Sequence, residues 1–96
     1  MTNPATGLDD VVHQRNRLGS MAMLVDADSV EFNVLQQELA LTAGNLSRHL
    51  TVLSDANLIT IVKRTGRRTK TWVTITKTGR VAFDKELDIL RAIVDR

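Results

Sequence analysis

The stretch LTAGNLSRHLTVLSDANLITI, residues 41–61, decides how the rest of the chain is read. Leu46, Leu50 and Leu53 recur at i, i+4 and i+7, the spacing of a helix with one buried stripe. Thr42 stands where that helix needs an N-cap, since its hydroxyl can accept from an amide of the first turn. Asn57 stands where the helix must stop, and Asn tolerates the left-handed conformation that helix ends often need. The opposite face carries Ala43, Gly44, Asn45, Ser47, Arg48, Thr51 and Ser54, with no acidic residue before Asp55. His49 borders the buried stripe and reads as a half-buried structural histidine, with a phosphate ligand at the helix edge as the alternative.

Downstream, residues 58–64 and 70–75 are β-branched runs around Thr65-Gly66-Arg67-Arg68-Thr69, which predicts a hairpin with a Gly-containing loop. One register sets Ile61 against Val73 and Ile59 against Ile75 on a face expected to lie on the helices. The other face then holds Val62 against Trp72 and Thr60 against Thr74, and should be partly exposed. Thr76 can cap a last helix over 77–95, with Phe83, Leu87, Leu90 and Val94 on one side. Ile89, Ala92 and Ile93 widen that apolar surface beyond a single face.

Upstream, residues 1–7 read as a flexible end and 8–96 as one domain. Leu8, Val11 and Val12, and then Leu18, Met21, Ala22 and Val25, have helical spacing. Gly19-Ser20 leaves open one bent helix or two over 8–25. Residues 26–29 break the pattern, and 30–32 form a short β-prone piece. Asn33 is the expected N-cap of a short helix marked by Val34, Leu35 and Leu39, with a tight turn at Ala40-Leu41. Two helices joined by a tight turn and followed by a ribbon make a winged helix-turn-helix. It is mostly α (α+β), with a two- to three-stranded antiparallel wing and a C-terminal helix available for dimerisation.

Net charge is only +2, yet it is unevenly spread. Residues 42–80 hold eight Lys and Arg against Asp55 alone, whereas residues 1–41 are net acidic. A concentrated positive segment is the electrostatic footprint of a polyanion partner, the alternative being a solvated charged hairpin. Cysteine is absent, which excludes disulfides and thiolate chemistry, and two separated histidines make no metal site. No nucleophile elbow, phosphate-binding loop or zinc-protease motif occurs, so no enzymatic activity and no cofactor are expected. Each Asp and Glu reads as a solvated surface charge. No apolar run reaches membrane length and residues 1–7 lack an apolar signal core, so a cytoplasmic protein without a membrane partner is expected. A domain of this size buries only about 60–65% of its unfolded surface, which favours dimerisation.

The segments LTAGNLSRHL (41–50) and TWVTITKTGR (71–80) resemble the recognition helix and the last-helix entry of small winged-helix transcriptional regulators related to the MarR and ArsR groups. His13 with Arg17-Leu18 is similar to that family's first-helix pattern, and the likeness spans residues 8 to 94. The family often has Gly where Ala40 and Asn57 stand, so Ala40 implies a turn that needs no positive φ. A Pro or an acidic residue is usual near Lys77 and Thr78, and its absence leaves an extra cation near the wing. The resemblance implies sequence-specific double-stranded DNA binding as a homodimer, usually for repression.

On that reading Arg48 is suited to guanine and Asn45 to adenine, with Ala43, Gly44 and Ser47 small enough for close approach to the groove floor. Thr42 and Ser47 are placed for the phosphate backbone, as is His49 on its alternative reading; Thr51 lies on the same DNA-facing side, and Arg64, Arg67, Arg68 and Lys70 are suited to phosphates or the minor groove. A dimer interface would draw on Leu8, Val11, Val12, Phe83, Leu87, Leu90, Ile93 and Val94. Trp72 covers the ribbon against a flanking helix or the partner, or contributes to an effector site. No particular effector is indicated, and an inducer would have to sit between the first helix, the last helix and the partner. Two other readings stay open: a winged-helix protein-interaction module and a non-specific architectural DNA binder.

Overall fold

The computed structural model describes residues 15–95. Its elements are α1 (Arg15–Ala27), β1 (Ser29–Glu31), α2 (Phe32–Leu39), α3 (Ala43–Asp55), β2 (Ile59–Arg64), β3 (Lys70–Ile75) and α4 (Lys77–Val94). The three strands form one antiparallel sheet in the order β1-β3-β2. This is a winged helix: α2 and α3 form the helix-turn-helix, and β2 and β3 form the wing.

The core is built from the periodicities of the chain. Leu46, Leu50 and Leu53 are buried on the inner face of α3 against Met21 and Leu24 of α1, Leu35 of α2, and Ile59, Val73 and Ile75 of the sheet. Burying one such aliphatic side chain contributes roughly 1.5–3 kcal/mol. The hairpin adopts the expected register, Ile61 opposite Val73 and Val62 opposite Trp72. Its inner face is covered only at the base, however: Ile59 is buried, whereas Ile61 is 41% exposed. The wing runs on past the helices, so alternation alone does not bury its distal residues.

Within the described residues α1 runs unbroken across Gly19-Ser20. Ser20 is buried and donates its hydroxyl to the Asn16 carbonyl at 2.8 Å, which removes the cost of hiding it. A Cβ on Gly19 would come within 3.0 Å of the Leu39 side chain, so the small residue permits α1 and α2 to pack closely. Residues 8–14 lie outside the described residues.

Several expectations are corrected. The first strand covers Ser29–Glu31, and Phe32 already belongs to α2. Pairing with β3 fixes Ser29 to Glu31, and the helix starts without an intervening loop. Its N-cap is therefore Glu31 rather than Asn33, and no side chain caps it. Val34 turns outward and is 42% exposed. Helix α1 extends to Ala27, into the segment expected to break it, and Asp28 follows at φ 66°. Glu86, expected at the surface, is 1% exposed on the inner side of α4.

Ala40 is the clearest reversal. It takes φ 53°, ψ 44°, a left-handed conformation that glycine adopts at no steric cost. The reason is hydrogen bonding. The Leu41 amide reaches back to the Gln36 carbonyl at 3.1 Å, and that closure needs a left-handed residue between them. Asn57 at φ 62° ends α3 in the same way, with the Leu58 amide donating to the Leu53 carbonyl at 3.0 Å. A left-handed residue with a Cβ costs about 1–2 kcal/mol, an amount Asn offsets locally and Ala does not.

Two substitutions test these backbone readings by urea denaturation. Ala40→Gly should raise stability by about 0.5–1 kcal/mol, and an unchanged or lower midpoint would contradict the strain. Gly79→Ala should lower it by about 2 kcal/mol or more, because the new Cβ would lie 2.1 Å from the Leu58 carbonyl oxygen.

Candidate nucleic-acid interface

Helix α3 is capped as its sequence indicates: the Thr42 hydroxyl accepts from the Asn45 amide at 3.1 Å. Thr42, Ala43, Gly44, Asn45, Ser47, Arg48 and Thr51 are exposed on one side of it. Nothing lies within 4 Å of where a Gly44 Cβ would stand, so the protein's own packing does not require glycine there. Arg48 donates from Nη2 to Asn45 Oδ1 at 3.0 Å, one turn back on the same face. The Thr51 hydroxyl donates to the Ser47 carbonyl at 2.8 Å, which leaves its oxygen lone pairs facing outward as acceptors.

The wing places Arg64, Arg67, Arg68 and Lys70 together, all exposed. Arg64 lies directly opposite Lys70 in the ladder, a like-charge pair that destabilises the isolated hairpin. Among the described residues none of these four forms an ion pair within 4.0 Å. Among the described residues their charge is thus unused and open to an external anion.

Lys63, absent from the residues expected at the site, joins it here. Between α3 and the sheet lies a crevice of about 250 Å³ lined by Phe32, Ser47, Leu50, Thr51, Ile61, Lys63 and Thr71. Two hydroxyl residues of the helix and one ammonium of the strand share it, a set suited to a phosphate oxygen. The signal was present in the charge run of the sequence, but only the fold brings Lys63 next to Ser47 and Thr51.

His49 sits half-buried at the edge of α3, turned to the first helix. Asn16 Nδ2 donates to its Nε2 at 3.4 Å when the ring is neutral with its proton on Nδ1. Burial, and then the charges of Arg17 and Arg48, hold its pKa below the ordinary value. Asn16 was not recognisable as its partner, because 33 residues separate the two. A second long-range tie is equally invisible in sequence. Arg80 of α4 donates to the Val25 carbonyl at 3.2 Å and pairs with Asp28 at the end of α1.

The residues proposed for a partner chain are distributed unevenly. Phe83 is 6% exposed and belongs to the protomer's own core, which leaves it little surface to offer. Leu87, Leu90 and Ile93 are half-buried, and Val94 is 81% exposed. Leu8, Val11 and Val12 lie outside the described residues.

The winged-helix core is shared with a set of known proteins. Residues 16–94 match the family of winged helix DNA-binding domains. The chain belongs to that family. A relative in Methanocaldococcus jannaschii, the uncharacterized protein MJ0432, is 40% identical over 68 residues, covering 70% of this chain and 74% of that one. The transcriptional regulator homologue of Pyrococcus horikoshii OT3 superposes with a TM-score of 0.85 at 33% identity, over 88% of this chain and 85% of the other. A MarR-family transcriptional regulator from Silicibacter pomeroyi has the same fold, with a TM-score of 0.66 at 24% identity, over 96% of this chain and 58% of its own. The winged-helix domain is thus a DNA-binding domain whose structural neighbours are MarR-family and related transcriptional regulators. Among the described residues no helix is long and apolar enough to cross a membrane, and no cluster of His, Asp and Glu could hold a metal ion.

His49 supplies a test of the electrostatics. Its NMR titration midpoint should fall below the ordinary histidine value of about 6.5. Between the folded and the unfolded pKa the unfolded chain binds the extra proton, so acidification favours unfolding. The stability His49 contributes is therefore complete above about pH 6.5 and is lost as pH falls through the folded value. His49→Gln should flatten stability across that window, and an unchanged slope would assign the pH dependence to other groups.

Proposed function

We propose that this protein is a sequence-specific duplex DNA-binding transcriptional regulator that acts as a homodimeric repressor on an inverted-repeat site. The observation that carries the reading is the set of unpaired cations on the wing beside an exposed, small-residue face of α3. Helix α3 enters the major groove. Arg48 reads guanine through its guanidinium, and Asn45 holds that guanidinium in place while its Nδ2 remains able to donate to a neighbouring base edge. Ala43 and Gly44 allow the helix to approach the groove floor. Thr42, Ser47, His49, Thr51 and Lys63 serve the backbone, and Arg64, Arg67, Arg68 and Lys70 serve flanking phosphates or the minor groove.

Dimerisation rests on α4, where Leu87, Leu90, Ile93 and Val94 continue an apolar surface past Phe83, together with Leu8, Val11 and Val12 of the N-terminal segment. A two-fold dimer predicts half-sites about one helical turn, ~10 bp, or a multiple apart.

Selection of bound duplexes from a genomic library at near-physiological salt tests the reading. A two-fold symmetric enriched site is the expected result. Binding without enrichment would indicate an architectural DNA binder, and absence of binding a protein-interaction module. On the enriched site Arg48→Ala should cost about 1–3 kcal/mol and relax preference at one base pair per half-site. Arg67→Ala and Arg68→Ala should each weaken binding uniformly and lower the salt slope by about 1. Gly44→Ala should separate folding from binding. It should leave the free protein as stable or up to about 1 kcal/mol more stable, while weakening DNA affinity. Equal DNA affinity would remove α3 from close contact with the groove.

A further inference from the structure

On the Trp72 face of the sheet, next to Lys70 of the wing, which shares a small crevice with Glu31, lies a groove of about 430 Å³ whose own lining is apolar and acidic. Met23, Asp26 and Ala27 come from the last turns of α1, Ser29, Val30 and Glu31 from β1, Val34 from α2, and Trp72 from β3. The register explains the assembly. Trp72 stands opposite Glu31 in the ladder and directly before the buried Val73, so strand alternation turns it away from the core. Val34, in the first turn of α2, stays 42% exposed although it is apolar. The interior packing of the domain uses neither residue fully.

Three properties define what would fit. The lining side chains are mostly apolar, which asks for an apolar body. Its charged members are Asp26 and Glu31, with no Lys or Arg among them, which asks for a positive charge. The aromatic face of a tryptophan attracts cations as well, by about 0.5–2 kcal/mol according to solvation. The size lies within the roughly 300–1,000 Å³ of small-molecule sites. A protein partner would need about 800 Å² of matching surface, and the exposed apolar side chains of the groove are too few for that.

We propose that this groove is a binding site for a small organic cation with an apolar body, seated on Trp72 and Val34 with its charge at Asp26 and Glu31. The site lies at the junction of α1, α2 and the sheet. It includes Trp72, which the sequence left open as part of an effector site, but no residue of the last helix lines it.

The chain has a single tryptophan, so Trp72 emission reports on the groove directly. The 96-residue chain, without DNA, is titrated with 4-phenylbutylammonium, 4-phenylbutanol and 4-phenylbutanoate, which share one body and differ in charge. The expected result is saturable change with the ammonium tightest, by about tenfold over the carboxylate. In the Asp26→Asn/Glu31→Gln double variant the ammonium should weaken to the level of the alcohol, with alcohol binding unchanged. Val34→Lys should abolish binding of the ammonium while circular dichroism stays that of the parent. Equal affinities, a preference for the carboxylate, or no saturable response to any probe would overturn the proposal. So would Trp72 emission that shifts with protein concentration and resists the amine, since the groove would then belong to a second copy of the chain. The outcome is independent of whether the protein binds DNA, because no DNA is present.

Discussion

The Leu58 carbonyl oxygen sits where α3, both wing strands and α4 are tied to one another. It accepts from the Thr76 amide at 3.0 Å and lies so close to Gly79 that no Cβ could stand between them. The Thr76 hydroxyl in turn donates to the Asn57 carbonyl at 2.7 Å and accepts from the Gly79 amide at 2.9 Å. Asn57 closes α3, Leu58 leads into β2, Thr76 leaves β3, and Gly79 lies in the first turn of α4. One knot of backbone therefore fixes the exposed helix, both wing strands and the C-terminal helix relative to one another. A helix and a wing can grip one ligand together only if their separation is set, and this junction sets it.

Charge is arranged against stability on one face. Arg64 opposite Lys70 weakens the hairpin, and Gly44 weakens the first turn of α3 without relieving any internal crowding. Ala40 adds a left-handed strain at the end of α2. In the proposed DNA complex the first two features become favourable, because a polyanion would approach that face closely. The strain at Ala40 has another origin: it is the geometric cost of bringing α2 and α3 to their crossing within a very short turn.

On the other side the carboxylates are handled differently. Asp28 is matched by Arg80, which also caps the Val25 carbonyl and so ties the end of α1 to α4. Asp26 and Glu31 instead edge an apolar groove beside Trp72. Acidic residues of the N-terminal half thus serve both a tie between two helices and the rim of a groove.

Local rules determined much of this protein from sequence. The Leu46–Leu50–Leu53 stripe, the Thr42 and Thr76 caps, the left-handed Asn57 and the ribbon register all depend on residues within a few positions of one another, or on a loop whose length fixes the pairing. The unpaired wing cations were legible for the same reason, since a charge run needs no folding to be noticed. Tertiary structure decided the features that join distant residues. Ala40 became left-handed because Leu41 had to reach Gln36 while α3 docked. Glu86 became buried because α4 lies on the domain with that face inward. Lys63 met Ser47 and Thr51, Asn16 met His49, and Asp26 met Trp72 only because packing brought separate elements together. Periodicity states which face of an element turns inward, but only the docked elements determine what that face meets.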